Sequence, residues 1–377
     1  MRDAVRRLVE RQVTPILERN PRDRALPKSE MLEAFGHFAE LGLMSPRLPE
    51  ADGGPGISML DYGIMFEQVP PTVSMSILSQ DSCVARLAAE CTPEQKQRFV
   101  PDLLAGRKLG CTGSTEPDTG SDPRGIKTRM RRDGDTVVLN GAKMWITNVS
   151  VCDTILVTCI DESRSADKPK IVKVVVEQAH SPFEAREIDA IGLNQGYLGE
   201  AVFNDVRVPA ANVVEGDGST RVLNRSWHVN RPLVGLQAVH LAQKAFDAAL
   251  DYARVRKQFG KPIAAHQLVQ KNLSDMALAI ETSRMLCYRA LWTIDNDLPA
   301  DGITAMAKRH AQMACTEAVW QAMNVFGAMG LSREMRIEEM FRDIRMLPIP
   351  DGTNEILTLI HGRELTGLEA LRGIAGR

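Results

Sequence analysis

The spacing of apolar residues changes twice along this chain of 377 residues. Up to about residue 107 apolar side chains recur at intervals of three and four, the pattern of helices with one buried face. Short β-branched runs replace it from about residue 108 to 215, and the helical pattern returns in longer stretches from about residue 219. This order predicts an α+β protein, mainly α, in which a sheet is inserted between helical regions that pack as one bundle.

We place three regions at 1–107, 108–218 and 219–377, because a chain of this length exceeds what one hydrophobic core usually organises. Turn signals such as Asp133-Gly134 separate the strand runs of the middle region and indicate a compact antiparallel sheet. These runs cover residues 136–139, 154–157, 171–176 and 201–203. The helices predicted for the last region cover 233 to about 256, 266 to about 295, 303 to about 327, and a shorter stretch after Asp351-Gly352.

The composition excludes several classes of protein. A formal net charge of -2 provides no basic field for nucleic acid, so we expect no nucleic-acid partner. No apolar run approaches the roughly 20 residues needed to cross a bilayer. The 7 cysteines form no Cys-x-x-Cys pair, and we interpret them as buried thiols of a cytoplasmic protein in a reducing compartment. We interpret the arginine-rich residues 1–13 as a first amphipathic helix rather than a transit peptide.

The familiar nucleotide and metal motifs are missing from the sequence. Gly53-Gly54-Pro55-Gly56 follows a helical stretch rather than a strand, and its proline would spoil a phosphate-binding helix start. There is no Gly-Lys-Ser/Thr phosphate loop and no Gly-x-Ser-x-Gly elbow. The 7 histidines never pair at the spacing of a helical metal site, and we predict no metal.

Four polar segments lie in otherwise apolar surroundings. They cover residues 111–122, 143–148, 254–261 and 348–355. Hydroxyls and glycines in the first suit a planar polar ligand and phosphate oxygens, and Trp145 beside Thr147 on one face of a strand offers an aromatic wall with a hydroxyl. Each segment also has a purely structural alternative. In the same order, these are a surface loop, a half-buried strand, a cationic cap at a helix C-terminus, and a helix N-cap at Asp351.

The order of five segments resembles the acyl-CoA dehydrogenase family over essentially the whole chain. The segments are Ser114-Thr115-Glu116-Pro117 with Gly120-Ser121-Asp122, Asn140-Gly141-Ala142-Lys143-Met144-Trp145-Ile146-Thr147, Asp205-Val206-Arg207-Val208-Pro209, Arg256-Lys257-Gln258-Phe259-Gly260 and Asp351-Gly352-Thr353. The resemblance implies an N-terminal helical domain, a middle β domain and a C-terminal four-helix bundle. It also implies a homotetramer that binds FAD without a Rossmann turn.

The resemblance further implies which residues contact the cofactor. The implied FAD-binding residues are Thr112, Ser114, Thr115, Gly120, Ser121, Trp145, Ile146, Thr147, Arg256, Gln258, Phe259, His266, Gln267, Asn324, Gly327, Ala328, Thr353, Asn354 and Glu355. Thr147 would hydrogen-bond the flavin beside Trp145. The members from Arg256 to Ala328 would reach the FAD of a neighbouring subunit, so oligomerisation would complete the site.

For the substrate the resemblance implies an acyl-CoA contacted by Ser121, His228, Asn230 and Arg231. In the implied α,β-dehydrogenation, Asp351 removes the α proton, flavin N5 accepts the β hydride, and an electron-transfer flavoprotein takes the electrons. Asp351 stands where many members carry the longer glutamate, and Asn230 stands where some carry an alternative glutamate. These departures indicate a branched, cyclic or otherwise atypical acyl group.

Other functions stay open for the same scaffold. A flavin oxidase or monooxygenase would pass the electrons to O₂. A desaturase would act on an acyl group bound to a carrier protein. A non-catalytic acyl-CoA-binding protein would keep FAD without being reduced by a thioester.

Overall fold

The computed structural model describes residues 1–122, 125–163, 170–215 and 221–370. The first part of the chain is helical, with α1 (Arg2–Leu8), α2 (Thr14–Arg19), α3 (Lys28–Ala39), α4 (Met59–Phe66), α5 (Pro71–Glu90) and α6 (Pro93–Leu104). A π-helical turn joins α1 to α2, and the apolar residues of this first segment recur on one buried face, at Val5, Val9, Val13 and Ile16. The interpretation of the N-terminus as an amphipathic helix is therefore confirmed.

The middle part forms one eight-stranded sheet within the described residues. Its strands are β1 (Gly110–Gly113), β2 (Arg129–Asp133), β3 (Thr136–Thr147), β4 (Thr154–Asp161), β5 (Lys170–Glu177), β6 (Glu184–Glu187), β7 (Leu198–Pro209) and β8 (Val213–Val214). Most neighbours are antiparallel, as predicted, and Gly134 with φ of 61° forms the tight turn between β2 and β3. However, β4 runs parallel to both β1 and β2, because the chain returns to β4 by crossover rather than through a hairpin.

The last part contains α7 (Arg221–Val255), α8 (Gln267–Asp295), α9 (Asp301–Phe326), α10 (Ile337–Met346) and α11 (Asn354–Thr366). A short hairpin of β9 (Lys257–Gln258) and β10 (Lys261–Pro262) joins α7 to α8. Helix α9 packs against α7, α8 and α11, so these four form the bundle. The mainly helical α+β fold class, with its N-terminal helices, middle sheet and C-terminal four-helix bundle, is confirmed.

Two features of the last part differ from the sequence prediction. Helix α7 begins before the predicted start at residue 233 and contains Pro232 in its interior. Helix α10 was not predicted. Its half-buried Asp343 accepts a hydrogen bond at 2.6 Å from the backbone N–H of Leu193, and desolvation raises the pKa of this carboxyl to about 6.

All seven cysteines are free and buried, which confirms the prediction of buried thiols. Burial raises the pKa of several of them, to about 12 for Cys83, Cys91, Cys159 and Cys315. These side chains therefore serve as small apolar packing groups.

A buried ion pair fixes the segment after β1 to β3. Lys143 Nζ donates to Glu116 Oε1 at 2.8 Å and to the carbonyl oxygen of Ser114 at 3.2 Å, and neither side chain of the pair is more than 4% exposed. The carboxylate also accepts from the backbone N–H groups of Lys127 (2.6 Å) and Thr128 (2.9 Å). Burial alone would raise the pKa of Glu116, but these hydrogen bonds lower it overall. The pair thus holds together two segments that sequence analysis assigned to the cofactor.

We predict that Lys143→Met destabilises the protein by about 3 kcal/mol, because it leaves the Glu116 carboxylate buried without a cation. Urea unfolding would measure the loss. The double variant Lys143→Met/Glu116→Gln should recover a large part of it, since a neutral amide needs no counter-charge. A single variant within about 0.5 kcal/mol of the wild type would contradict a structural role for the pair.

Candidate active site

A stiff turn between α10 and α11 carries Asp351. This residue has φ of 53°, in the left-handed region that a side chain rarely permits, and Gly352 after it has φ of 102°. Pro348 and Pro350 limit the backbone freedom of the turn. A non-glycine residue keeps such a conformation only where its surroundings hold it, which makes this turn a candidate functional site.

Lys308 of α9 holds the turn from the side of the bundle. Its ammonium group donates to the carbonyl oxygens of Pro350 and Gly352, each at 2.6 Å, and lies 3.5 Å from that of Pro348. The side chain is fully buried, and burial lowers its pKa to about 7 against the opposing effect of the Asp351 charge. Three backbone carbonyls thus share one buried cation.

The carboxylate of Asp351 is free among the described residues. It is half-buried, makes no hydrogen bond and no ion pair there, and the backbone N–H of Asp351 also has no acceptor. It does not cap α11, because Thr353 Oγ1 accepts from the N–H of Ile356 at 3.4 Å. The alternative interpretation of Asp351 as a helix N-cap is therefore wrong.

Asn230 and Arg231 of α7 lie beside this turn. Arg231 Nε donates to the carbonyl oxygen of Asp351 at 3.4 Å. The amide of Asn230 is buried, with Oδ1 accepting from Arg47 at 2.9 Å and Nδ2 donating to Ser82 Oγ at 3.1 Å. The structure thus brings two of the four predicted substrate residues next to Asp351.

The other two predicted substrate residues make no hydrogen bond or ion pair with the turn in the described part of the chain. His228 pairs with Asp301 at the start of α9, and this hydrogen bond lowers the pKa of the Asp301 carboxyl. Ser121 is exposed in the loop after β1. A substrate role for His228 and Ser121 stays a prediction.

Sequence analysis missed four charged residues around Asp351. They are Arg47, Asp81, Arg86 and Lys308. Asp81 is fully buried and accepts from Arg47 Nε at 2.7 Å and from Ser45 Oγ at 2.9 Å. The negative charge of Asp351 favours the protonated, charged forms of Arg47, Arg86 and Lys308, because it raises the pKa of each. For Asp81, Arg86 and Lys308 the available signal was a charged residue within an apolar helical run, where such residues are rarely buried without a partner. Arg47 lies in a turn and gave no such signal.

The first group of predicted cofactor residues lies on β1, on β3 and in the loop after β1. The N–H of Met144 donates to the carbonyl oxygen of Thr115 at 3.0 Å, which places the two segments side by side. A bulge in β3 between Lys143 and Ile146 gives Trp145 a φ of 60° and leaves its side chain 53% exposed. The alternation is interrupted before Trp145, whereas exposed Trp145, buried Ile146 and half-buried Thr147 alternate as predicted.

Further members of this group vary in exposure. Thr112, Ser114 and Thr147 are half-buried, Ile146 is buried, and Gly120 is exposed. Ser114 Oγ lies 3.4 Å from the hydroxyl of Thr158, and the other hydroxyls have no partner among the described residues. They remain available to a ligand.

A second group of predicted cofactor residues surrounds an open groove of about 290 Å³. Gln258, Phe259, His266 and Asn324 line it. Phe259 sits at the tip of the β9–β10 hairpin with φ of 51° and is 94% exposed. Arg256, Gln267, Gly327 and Ala328 are exposed as well, and no hydrogen bond or ion pair connects this group to β1 or β3 in the described residues.

A third group begins α11 beside Asp351. Thr353 is the N-cap, Asn354 follows it, and Glu355 is exposed. Asn354 Oδ1 is buried and has no hydrogen-bond partner among the described residues. An orphaned acceptor of this kind points to a donor from outside the chain.

These features fit FAD. Unpartnered hydroxyls and an exposed indole suit a flat polar ring, and the orphaned Asn354 acceptor suits a hydroxyl or amine donor. The described residues contain no group of three His, Cys, Asp or Glu side chains arranged for a metal ion. No helix in that part of the chain is long and apolar enough to cross a membrane.

We predict that Lys308→Met destabilises the protein by about 2 kcal/mol or more, because buried carbonyls lose their donor. It should also raise amide exchange across residues 348–353, measured by mass spectrometry. Arg309→Met is the matched control, since Arg309 is the next residue of α9, is half-exposed, and has no side-chain partner in the described residues. Equal exchange in both variants would remove Lys308 from the support of the turn.

Comparison with known proteins identifies the family. The chain matches the family models of the acyl-CoA dehydrogenase N-terminal domain at residues 1–107, middle domain at 111–206 and C-terminal domain at 216–366. It is 33% identical to a probable acyl-CoA dehydrogenase YngJ of Bacillus subtilis, covering 97% of both chains. It is 32% identical to a cyclohex-1-ene-1-carbonyl-CoA dehydrogenase of Geobacter metallireducens, covering 96% of both.

A solved structure connects the same fold to the flavin. A glutaryl-CoA dehydrogenase from Mycobacterium smegmatis in complex with FADH2 superimposes with a TM-score of 0.88 at 25% identity, covering 98% of this chain and 95% of that one. The chain therefore belongs to the acyl-CoA dehydrogenase family of FAD-dependent oxidoreductases.

Proposed function

We propose that the protein oxidises the α and β carbons of an acyl-CoA thioester and that Asp351 is the base that removes the α proton. The observation that carries this proposal is the free carboxylate of Asp351 on a backbone held in the left-handed region by Lys308 and Arg231. Asn230 cannot replace it, because an amide takes no proton and this one is already bound to Arg47 and Ser82.

The same turn offers a donor for the thioester oxygen. The backbone N–H of Asp351 has no acceptor among the described residues, so it is free to donate to the negative charge that develops when the α proton leaves. Bound FAD supplies the hydride acceptor for the β carbon. Clamping by Lys308 keeps the base and this N–H in fixed relative positions, which is what proton transfer requires.

The acyl group that we propose is branched, cyclic or otherwise atypical. Asp351 is one methylene shorter than glutamate, so the α carbon must lie correspondingly nearer to the turn than it would for a glutamate base. Pro348 and Pro350 prevent the turn from moving freely to close that gap. The activity of the Geobacter relative on a ring-bearing thioester supports a bulky acyl group.

We also propose that neighbouring subunits complete each FAD site in a tetramer. Phe259 is almost fully exposed and Arg256 has no side-chain partner in the described residues, although both belong to a structured hairpin that lines a groove. Large apolar side chains also recur every seven residues on exposed faces of α8 and α9, at Leu278, Met285 and Trp292 and at Met313 and Trp320. Apolar stripes of this kind are typical of subunit interfaces.

We propose an electron-transfer flavoprotein as the acceptor of the electrons. Rapid O₂ consumption by the reduced protein would contradict this part of the proposal. Reduction by an acyl carrier protein thioester in place of acyl-CoA would instead contradict the proposed substrate. A flavin that no thioester reduces would instead favour a binding protein.

We predict that Asp351→Asn slows substrate-driven flavin reduction by ~10²- to 10⁴-fold, the usual contribution of a general base. Anaerobic stopped-flow absorbance of the flavin band near ~450 nm would measure the rate with straight, branched and cyclic acyl-CoAs. Asp351→Glu keeps the carboxylate and should retain measurable reduction. FAD content should be equal in all three proteins, and an unchanged rate in the asparagine variant would exclude Asp351 as the base.

We predict that Arg256→Ala lowers FAD retention by ~10-fold or more, because a charge-assisted contact with the cofactor is lost. The FAD-to-protein ratio after gel filtration would show this, with light scattering on the same column for the oligomeric state. Arg254→Ala is the control, since Arg254 is equally exposed but pairs with Asp251 of its own chain at 3.5 Å. Equal FAD loss in both variants would remove Arg256 from the site.

A further inference from the structure

The surroundings of Asp351 carry more positive than negative charge. Arg47, Arg86, Arg231 and Lys308 come from four separate segments, and the charge of Asp351 acts on each of them. The ion pair with Asp81 neutralises Arg47. Of the other three, Arg231 is also stabilised by the charge of Asp301, and Lys308 donates to the carbonyl oxygens of Pro350 and Gly352.

Arg86 of α5 is the least compensated of these cations. It is 5% exposed, makes no hydrogen bond and no ion pair with any described residue, and its Nε is shielded from solvent without a partner. Its Nε–H donor is therefore buried without an acceptor, which is unfavourable for part of a charged group. Burial accordingly lowers the pKa of Arg86. A buried, unpaired guanidinium is the kind of group that an anionic ligand satisfies.

An alternative partner for Arg86 among the described residues is Glu90, four residues later on α5. One of its carboxylate oxygens is also buried without a partner, while the other pairs with Lys173. Because Lys173 already balances the charge of Glu90, a contact with Arg86 would leave the net excess of positive charge unchanged. Arg86 lies one helical turn after Ser82, on the face of α5 whose Ser82 hydroxyl accepts from Asn230. Asn230 precedes Arg231, which contacts the carbonyl oxygen of Asp351, so this face of α5 is directed toward the turn.

We propose that Arg86 binds a carboxylate carried by the acyl part of the substrate, and that the protein prefers thioesters of dicarboxylic acids. This inference depends on the proposed function, because it names the substrate of the same site. The planar guanidinium matches a carboxylate in a two-point hydrogen bond. The positive charge of Arg47 repels that of Arg86 and lowers the pKa of Arg86. A bound substrate carboxylate would also reduce this repulsion.

The test is a comparison of thioesters on the FAD-loaded enzyme. Each member of a series of dicarboxylyl-CoA thioesters is paired with the straight-chain monocarboxylyl-CoA of equal carbon number, and kcat/KM for flavin reduction is measured. The wild type should favour the best dicarboxylyl thioester by ~10- to 100-fold, the range expected for charge-assisted hydrogen bonds. Equal or reversed preference in the wild type overturns the proposal.

Variants of Arg86 then assign the preference to this side chain. Arg86→Met should lower the ratio of kcat/KM for the dicarboxylyl thioester to kcat/KM for the neutral thioester at least ~10-fold. Any effect through Asp351 acts on both thioesters and cancels in this ratio. Arg86→Lys, which keeps the charge but not the two-point geometry, should give an intermediate ratio. Arg309→Met controls for the loss of one positive charge elsewhere. An equal loss for both thioesters in Arg86→Met, as expected for a contact with a CoA phosphate or for a purely structural role with Glu90, overturns the proposal.

Binding without turnover separates this inference from the proposed function. Thioester analogues with sulfur in place of the β carbon cannot donate a hydride there, and their Kd by calorimetry reports recognition alone. A ~10-fold tighter Kd for the carboxylate-bearing analogue, lost in Arg86→Met, supports the inference even if no thioester reduces the flavin. If neutral thioesters reduce the flavin but carboxylate-bearing analogues bind no more tightly than neutral ones, the proposed function stands and this inference is wrong.

Discussion

The hydrogen bonds from Lys308 to the carbonyl oxygens of Pro350 and Gly352 connect the bundle to the turn that carries Asp351. They explain how Asp351 keeps a backbone conformation that is unfavourable by itself. The cation lies in the most buried part of α9, so the turn cannot shift without breaking contacts in the bundle. The position of the carboxylate is thus set by the packing of helices rather than by the loop that carries it.

A buried cation is unfavourable unless other groups share its charge. Around Asp351 three of the four cations have different partners. Arg47 forms an ion pair with Asp81, Lys308 donates to backbone carbonyl oxygens, and Arg231 donates to the carbonyl oxygen of Asp351. The sheet uses a different arrangement, in which Lys143 and Glu116 neutralise each other completely. Arg86 follows neither arrangement, which distinguishes it from the charges that only support the fold.

The order of helical and sheet regions could be predicted from the sequence, because the spacing of apolar residues reflects local secondary structure and the same spacing marks the buried faces in the structure. The sequence did not reveal where one residue changes the local geometry, as at the bulge before Trp145, or where a proline lies inside a helix, as in α7. The turn at Asp351 was found from its motif, but not its left-handed backbone or its free carboxylate. The cluster around it could not be predicted, since Arg47, Arg86 and Lys308 come together only through tertiary packing and no spacing in the sequence relates them.

The buried cysteines of this flavin-dependent oxidoreductase are protected from oxidation. Reduced flavins react with O₂ to form peroxide, and a thiol is oxidised by peroxide mainly as the thiolate. Because burial raises the pKa of Cys83 and Cys159 to about 12, and that of Cys111 well above its usual value, almost no thiolate exists in these positions near neutral pH. These thiols therefore resist oxidation by any peroxide that forms when O₂ reaches the flavin in place of the proposed acceptor.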